Sequence, residues 1–297
     1  MSIRTDLALE SLEAASLTGF RAGSASGVTQ EETELQGFSV TRVRVETEEG
    51  ARALGKPRGE YATLGLGALI RREEDAFPRA VGALAEVLGG LLRGADGPVL
   101  VAGLGNRAIT PDAVGPLTVE SILATRHLVG EELPYFKDWR PVSAVAPGVL
   151  GQTGVETGEL VRGLMDTVRP SAVVAVDALA SSRLSRLLRT IQVSDTGIVP
   201  GAGVGNARFA LNRETLGVPV LAVGVPTVVD GATLAHEIAR QSNAKGCEAL
   251  DDLAQPVVVT TRDIDREVAD VSRVIGYALN KALHPHLSIE DIDQFLS

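Results

Sequence analysis

The chain has one cysteine, Cys247. A single thiol cannot close an intramolecular disulfide or build a paired-cysteine zinc site, so packing and hydrogen bonds must hold the fold. Aromatic residues are scarce at 3%, which leaves Ala, Val, Leu and Ile to fill the core that a 44% hydrophobic content supports. Basic residues number 28 against 38 acidic ones, for a net charge of -10. Proteins bind phosphate backbones mainly through Lys and Arg, so no direct nucleic-acid partner is expected. No uninterrupted apolar run reaches the roughly 18 residues of a membrane span. The N-terminal MSIRTDLALE carries an acid where a signal peptide would be apolar. The expectation is no membrane partner and a cytoplasmic location.

Histidine is also rare, at four residues. His236 and Glu237 in LAHEIA have no second His at i+4, so the H-E-x-x-H zinc signature is absent. No Ser sits in a G-x-S-x-G elbow, and Cys247 lies in no nucleophile motif. Hydrolytic chemistry in this chain would need carboxylates.

Glycine is abundant, at 32 residues, and the chain alternates helical and short apolar segments. Arg42 to Glu46 (RVRVE) alternates charged and apolar side chains and predicts a half-exposed strand, with Tyr61 to Ile70 as its partner after the turn GKPRGEY. An amphipathic helix is predicted over Phe77 to Leu92, followed by a buried strand from Val99 to Ala102. The rhythm repeats with a helix over Leu160 to Val168 and a strand over Ala172 to Val176 that ends at Asp177. Strands at Val218 to Val223 and Val257 to Thr260 follow, and then a helix over Ile264 to Leu283 with Thr261 as its N-cap. Such a series marks an α/β protein. Residues 1 to 36 show only a short helix from Leu7 to Leu17 and read as a peripheral or removable segment.

Two acids stand out because each follows an apolar strand. Asp177 directly follows SAVVAV, and Asp112 follows VLVAGLGN by a loop, within Thr110-Pro111-Asp112. Sites in open α/β sheets form outside the carboxyl ends of strands, so these acids are candidates to face one crevice. Thr110 can cap a helix with Pro111 at N1, which makes Asp112 equally a helix-start acid, and Asp177 can cap a helix over Ala178 to Leu188. A noncatalytic binding module is the function class those capping roles would leave. Gly103 to Ala108 fits the dinucleotide fingerprint G-x-G-x-x-A, which would imply an oxidoreductase. That motif requires a helix opening within it, whereas Thr110-Pro111 signals a later start. Gly201 to Asn206 is a second Gly-rich loop, suited to an anion, to close approach of a peptide backbone, or to a plain connection.

Four segments together resemble the germination protease family: RTDLALE (4–10), GLGNRAITPDAVGPLTVESILATRHL (103–128), VAVDALASSRLSRLLRTIQVSDTGIVPGAGVGN (174–206) and TLGVPVLAVGVPTVVD (215–230). The first half of the second segment also resembles hydrogenase maturation proteases. That resemblance implies a three-layer α/β/α unit with a mostly parallel or mixed sheet, here with an N-terminal β-rich elaboration. The family resemblance implies an endopeptidase with two essential aspartates, matching Asp112 and Asp177. It implies small acid-soluble spore proteins as substrates, a spore-core location and a homo-oligomer. No cofactor and no metal are expected; two carboxylates alone make a poor zinc site, and His127 is the third ligand a metal reading would call on. Thr5 to Glu10 is similar to the family's substrate pattern, which implies autoprocessing between Asp6 and Leu7. Residues 1–6 would then be a short prosegment and 7–297 a single catalytic domain.

Overall fold

The computed structural model describes residues 5–130, 134–200, 209–241 and 257–297. Among these, nine strands form one mixed sheet in the order β1-β2-β3-β7-β8-β6-β4-β5, with β9 pairing β8. The strands are β1 (Val28–Leu35), β2 (Phe38–Val45), β3 (Gly59–Gly65), β4 (Val99–Gly103), β5 (Val142–Val145), β6 (Ala172–Ser181), β7 (Thr190–Ser194), β8 (Val220–Asp230) and β9 (Val258–Val259). Strands β5, β4, β6 and β8 run parallel. Strands β7, β3, β2 and β1 continue from β8 by antiparallel pairing and form the N-terminal β-rich part.

Alternation along the parallel strands explains the layers, because successive side chains point to opposite faces. Val99, Val101, Val174 and Val176 pack on one face with the helices Ala76–Leu91 and Ile264–Leu283. Leu100, Ala102, Val173 and Ala175 pack on the other face with Val161 and Val168 of the helix Thr157–Val168. Every residue of β4 is buried, as expected for a parallel strand covered on both sides. Burying one such Val or Leu fully is worth about 1.5–3 kcal/mol. A third cluster joins the helix α1 (Ala8–Leu17) to the antiparallel part through Ala8, Leu12, Val28, Val43 and Tyr61.

Several segments differ from expectation. The strand at Asp177 does not end there: β6 keeps pairing with β8 as far as Ser181, so Ala178 to Leu188 is strand and then a short 3-10 turn at Leu184–Arg186. The Leu spacing in that stretch is helical, but pairing with β8 continues through an irregularity between Leu179 and Ala180 and holds the backbone as strand to Ser181. Strands β1, β5 and β7 carry no clear pattern of their own. The helix Ile264–Leu283 starts at Asp263 with no side-chain cap, and the Thr261 hydroxyl instead donates to Glu267.

The helix Val114–Val119 meets the carboxyl ends of β4 and β6 at Gly115. A Cβ on Gly115 would run into the Leu104 backbone and the Val176 carbonyl oxygen, so the helix packs on the strand ends only because no side chain intervenes. Gly115→Ala is expected to cost about 1–3 kcal/mol in urea unfolding, as overpacking against backbone does. Gly89→Ala, where a Cβ meets nothing within 4 Å in the last turn of a helix, serves as the control. It should be neutral or stabilising by up to about 1 kcal/mol. Equal stability of the two variants would contradict the packing.

Candidate functional site

The loop after β4 is shaped around Asp112. The Leu104 N–H donates to the Val176 carbonyl at 2.7 Å, which ties the loop to β6. Gly105 has φ +109° and passes so close to the Asp112 backbone that a Cβ would collide with it. The Asn106 N–H then donates to Asp112 Oδ2 at 2.8 Å. Asn106 is held in turn by Gln152, whose Nε2 donates to Asn106 Oδ1 at 2.7 Å. From the far side, Thr227 Oγ1 of β8 donates to the Pro111 carbonyl at 2.7 Å. Thr110 to Asp112 is a 3-10 turn whose N-cap is Ile109, so Thr110 does not make the cap expected of it. The two glycines of the G-x-G-x-x-A stretch are consumed by these close approaches. No helix opens within that stretch, and the context a dinucleotide fingerprint requires is missing.

Asp177 sits within β6, paired with Gly224 of β8. Only 6% of its surface is exposed, whereas Asp112 is half-buried. Asp177 Oδ1 accepts from the Ala178 N–H at 2.9 Å. Burial lifts the Asp177 pKa well above the ordinary carboxyl value, the charge of Asp112 lifts it further, and the Ala178 N–H only partly offsets them. Both acids line one cleft of about 620 Å³ on the sheet.

The N-terminal segment enters the same cleft. Asp6 and Ala180 of β6 are linked twice: the Asp6 N–H donates to the Ala180 carbonyl at 3.0 Å, and the Ala180 N–H donates to Asp6 Oδ2 at 2.8 Å. Lys56, which also lines the cleft, donates from Nζ to the Thr5 carbonyl at 3.1 Å. Burial raises the Asp6 pKa, against the Ala180 hydrogen bond and the Lys56 charge. Burial likewise lowers that of Lys56, against Asp6 and Glu10. Leu7 and Ala8 are fully buried. Two residues past Ala8, Glu10 is 2% exposed and ends in a socket of donors. Ser181 Oγ donates to Oε1 at 2.6 Å, and the Ser182 N–H and Oγ each donate to Oε2 at 2.7 Å. Arg186 Nε lies 3.5 Å from Oε1.

Asp6, Asp112 and Asp177 thus share a cleft that His127 does not line; it is exposed on the short helix Arg126–Gly130. His284 is buried against Trp139, with ring centroids 5.0 Å apart. Burial, with the charges of His286 and Arg140, pulls its pKa down to about 4, so the ring packs as a neutral group at neutral pH. Among the described residues, no group of three or more His, Cys, Asp or Glu is placed to hold a metal ion. No helix among them is long and apolar enough to cross a membrane. Gly201 to Asn206 and Cys247 lie outside the described residues. Sequence reasoning missed Lys56, Gln192 and the Glu10 socket. The one legible signal was Gln192, a long polar side chain at the centre of the strand TIQVS.

The germination protease family profile matches residues 11–240 of the chain. A germination protease of Caldanaerobacter subterraneus subsp. tengcongensis is 40% identical over 324 residues, spanning 100% of this chain and 98% of the relative. One from Clostridium perfringens is 41% identical over 328 residues, spanning 100% and 99%. One from Bacillus subtilis is 42% identical over 241 residues, spanning 79% and 65%. Among solved structures, a nickel-iron hydrogenase maturation protease from Thermococcus kodakarensis aligns at 16% identity. It covers 65% of this chain and 98% of its own, with a TM-score of 0.37. With a profile spanning most of its length and full-length relatives at about this level of identity, the chain belongs to the germination protease family.

Proposed function

We propose that this protease is an endopeptidase acting on small acid-soluble spore proteins during germination, with Asp112 and Asp177 as its catalytic pair. In this reading it is made as a zymogen and cuts its own Asp6–Leu7 bond, releasing residues 1–6 and leaving 7–297 as the catalytic unit. It works in the spore core as a homo-oligomer.

The observation that carries the reading is the course of the N-terminal segment. Asp6 is hydrogen-bonded onto β6 in the cleft that Asp112 and Asp177 line. One main-chain and one side-chain hydrogen bond tie Asp6 to Ala180, and main-chain hydrogen bonds along a strand are a common way to hold an extended peptide. The acid, bulky apolar residue, Ala and later Glu of Asp6-Leu7-Ala8-Leu9-Glu10 match the substrate pattern of the family. A segment seated this way blocks the cleft until it is cut.

Two nearby carboxyl groups cannot both ionise cheaply, so the pair holds one proton over a wide pH range. The burial of Asp177 makes it the proton-holding member and general acid. Asp112, half-buried and held by the Asn106 N–H, is then the carboxylate that activates water. Two carboxylates are a poor donor set for zinc, and the pair needs no metal to move these protons. Activity is therefore expected to survive prolonged chelation, and loss restored by one added divalent ion would replace the acid–base pair with a metal site.

Mass spectrometry of the purified chain after incubation at mildly acidic pH should show loss of residues 1–6 and Leu7 as the new N-terminus. Alkaline conditions, which ionise both acids, should stop the reaction. Asp112→Asn and Asp177→Asn should each stay full length and fail to cut an added substrate peptide, because removing either member leaves no acid–base unit. Cleavage at another bond, or equal trimming of either variant, would refute the assignment.

The Asp177 shift also fixes a stability trend. An acid with a raised folded pKa keeps its proton in the folded state where the unfolded chain has lost it. Folding stability therefore falls as pH rises from the ordinary carboxyl value of about 3.9 toward the raised folded value. Asp177→Asn removes that penalty. Thermal melting should show the variant more stable than wild type at neutral pH, with the gap closing below about pH 4. A gap that is absent or reversed at neutral pH would mean that Asp177 is not buried as described.

A further inference from the structure

Gln192 lies on β7, in a cross-strand row with the buried acid: Gln192 pairs with Gly224, and Gly224 pairs with Asp177. Directly paired residues point to the same side of a sheet. The two side chains therefore rise from one face, two strands or roughly 10 Å apart. The segment from Asp6 to Ala8 is held by this carboxamide. Gln192 Oε1 accepts from the Ala8 N–H at 2.7 Å, and Nε2 donates to the Asp6 carbonyl at 3.3 Å. Only one orientation of the amide satisfies both contacts, because an N–H requires the oxygen and a carbonyl requires the nitrogen. Gln192 is 7% exposed and its strand neighbours Ile191 and Val193 are fully buried. The peptide segment thus supplies partners that a buried amide needs.

We propose that Gln192 is a third catalytic residue, whose Nε2–H receives the negative charge that develops on the carbonyl oxygen of the bond being cut. This rests on the reading of Asp6–Leu7 as that bond. Water oxygen bonds to the Asp6 carbonyl carbon while a carboxylate takes the water proton, and the carbonyl electron pair moves onto the oxygen facing Nε2. Collapse restores the carbonyl and breaks the C–N bond, with the Leu7 nitrogen taking the proton of the other carboxyl group. The donor's hydrogen bond strengthens as charge builds, so its contribution falls mainly on the transition state. The Oε1 contact to Ala8 sets the amide in advance, which keeps the donor aimed without reorganisation. A bound peptide is then gripped on both sides of the reacting bond, by Ala180 before it and Gln192 across it.

The rate of self-cleavage of the full chain, followed by mass spectrometry across pH, tests this with wild type, Gln192→Met and Gln192→Glu. Gln192→Met should cut about 10²- to 10³-fold more slowly, the range for losing one oxyanion donor. Gln192→Glu separates donation from mere holding. Its ionised carboxylate still accepts from the Ala8 N–H but offers the Asp6 oxygen nothing, whereas its protonated form does both. Its rate relative to wild type should therefore recover about tenfold or more as pH falls from about 7 to about 5. A wild-type chain that never cuts Asp6–Leu7 would remove the underlying reading. A wild-type chain that cuts would overturn the role of Gln192 alone if Gln192→Met stays within about threefold of it, or if the Gln192→Glu deficit does not change with pH.

Discussion

Asp177 carries its carboxyl group into the mixed sheet, where water reaches almost none of it, and Asp112 adds a second acid in the same cleft. An ionised carboxylate stripped of water costs several kcal/mol even after relaxation. The group answers by keeping its proton, which is why its pKa is displaced upward. A buried acid that stays protonated weakens the fold at neutral pH less than a buried charge would, yet more than an amide or an apolar side chain. The surrounding packing has to carry that cost, and it is arranged to do so. Strands β4, β6 and β8 are buried on both faces, Gly115 lets a helix touch the strand ends, and Thr227 clamps the turn that holds Asp112.

The N-terminal segment reaches the cleft through Asp6 and is anchored on both sides of it. Leu7 and Ala8 bury completely, and the Glu10 carboxylate finds three donors at hydrogen-bond distance on Ser181 and Ser182. A buried carboxylate is tolerable only when its oxygens are satisfied in this way. The same segment therefore does two things: it completes the packing of α1 against β1, β2 and Tyr61, and it lays a peptide bond across Gln192. Cutting that bond would separate the two roles, because Glu10 and α1 stay on the enzyme while Asp6 leaves. The proposed zymogen is thus a protein whose first substrate is already bound.

Much of the parallel half of the fold was legible from sequence, for a physical reason. VLVA, AVVAV and VPVLAV are short, Val-rich apolar runs that fit buried strands, although the last strand starts at Val220 and runs on to Asp230, and the helices Ala76–Leu91 and Ile264–Leu283 carry strong 3.6-residue periodicity. The antiparallel half was harder. β1 reads VTQEETEL, a charged strand whose pairing with β2 comes from the partner and not from its own pattern. β5 is four residues long at the sheet edge, and β7 mixes polar and apolar side chains. The stretch after Asp177 was misread as a helix because its leucines fall at helical spacing while its tertiary partner is β8. Asp112 and Asp177 could be singled out as acids beyond apolar strands, but their meeting in one cleft is a property of sheet order. Lys56 and the Glu10 socket depend on residues more than 50 positions apart and had no local signature, while Gln192 showed only as a polar side chain within TIQVS.

The central claim is that one carboxyl group in the cleft is held protonated by burial and by its acidic neighbour. Carbon-13 NMR of the aspartate carboxyl groups across pH measures this directly, with Asp177 assigned by substitution. The account predicts that Asp177 titrates well above the ordinary carboxyl value and that Asp112→Asn brings it partway down, burial remaining as the larger cause. An Asp177 signal that titrates in the ordinary carboxyl range, or that does not respond to Asp112→Asn, would contradict it.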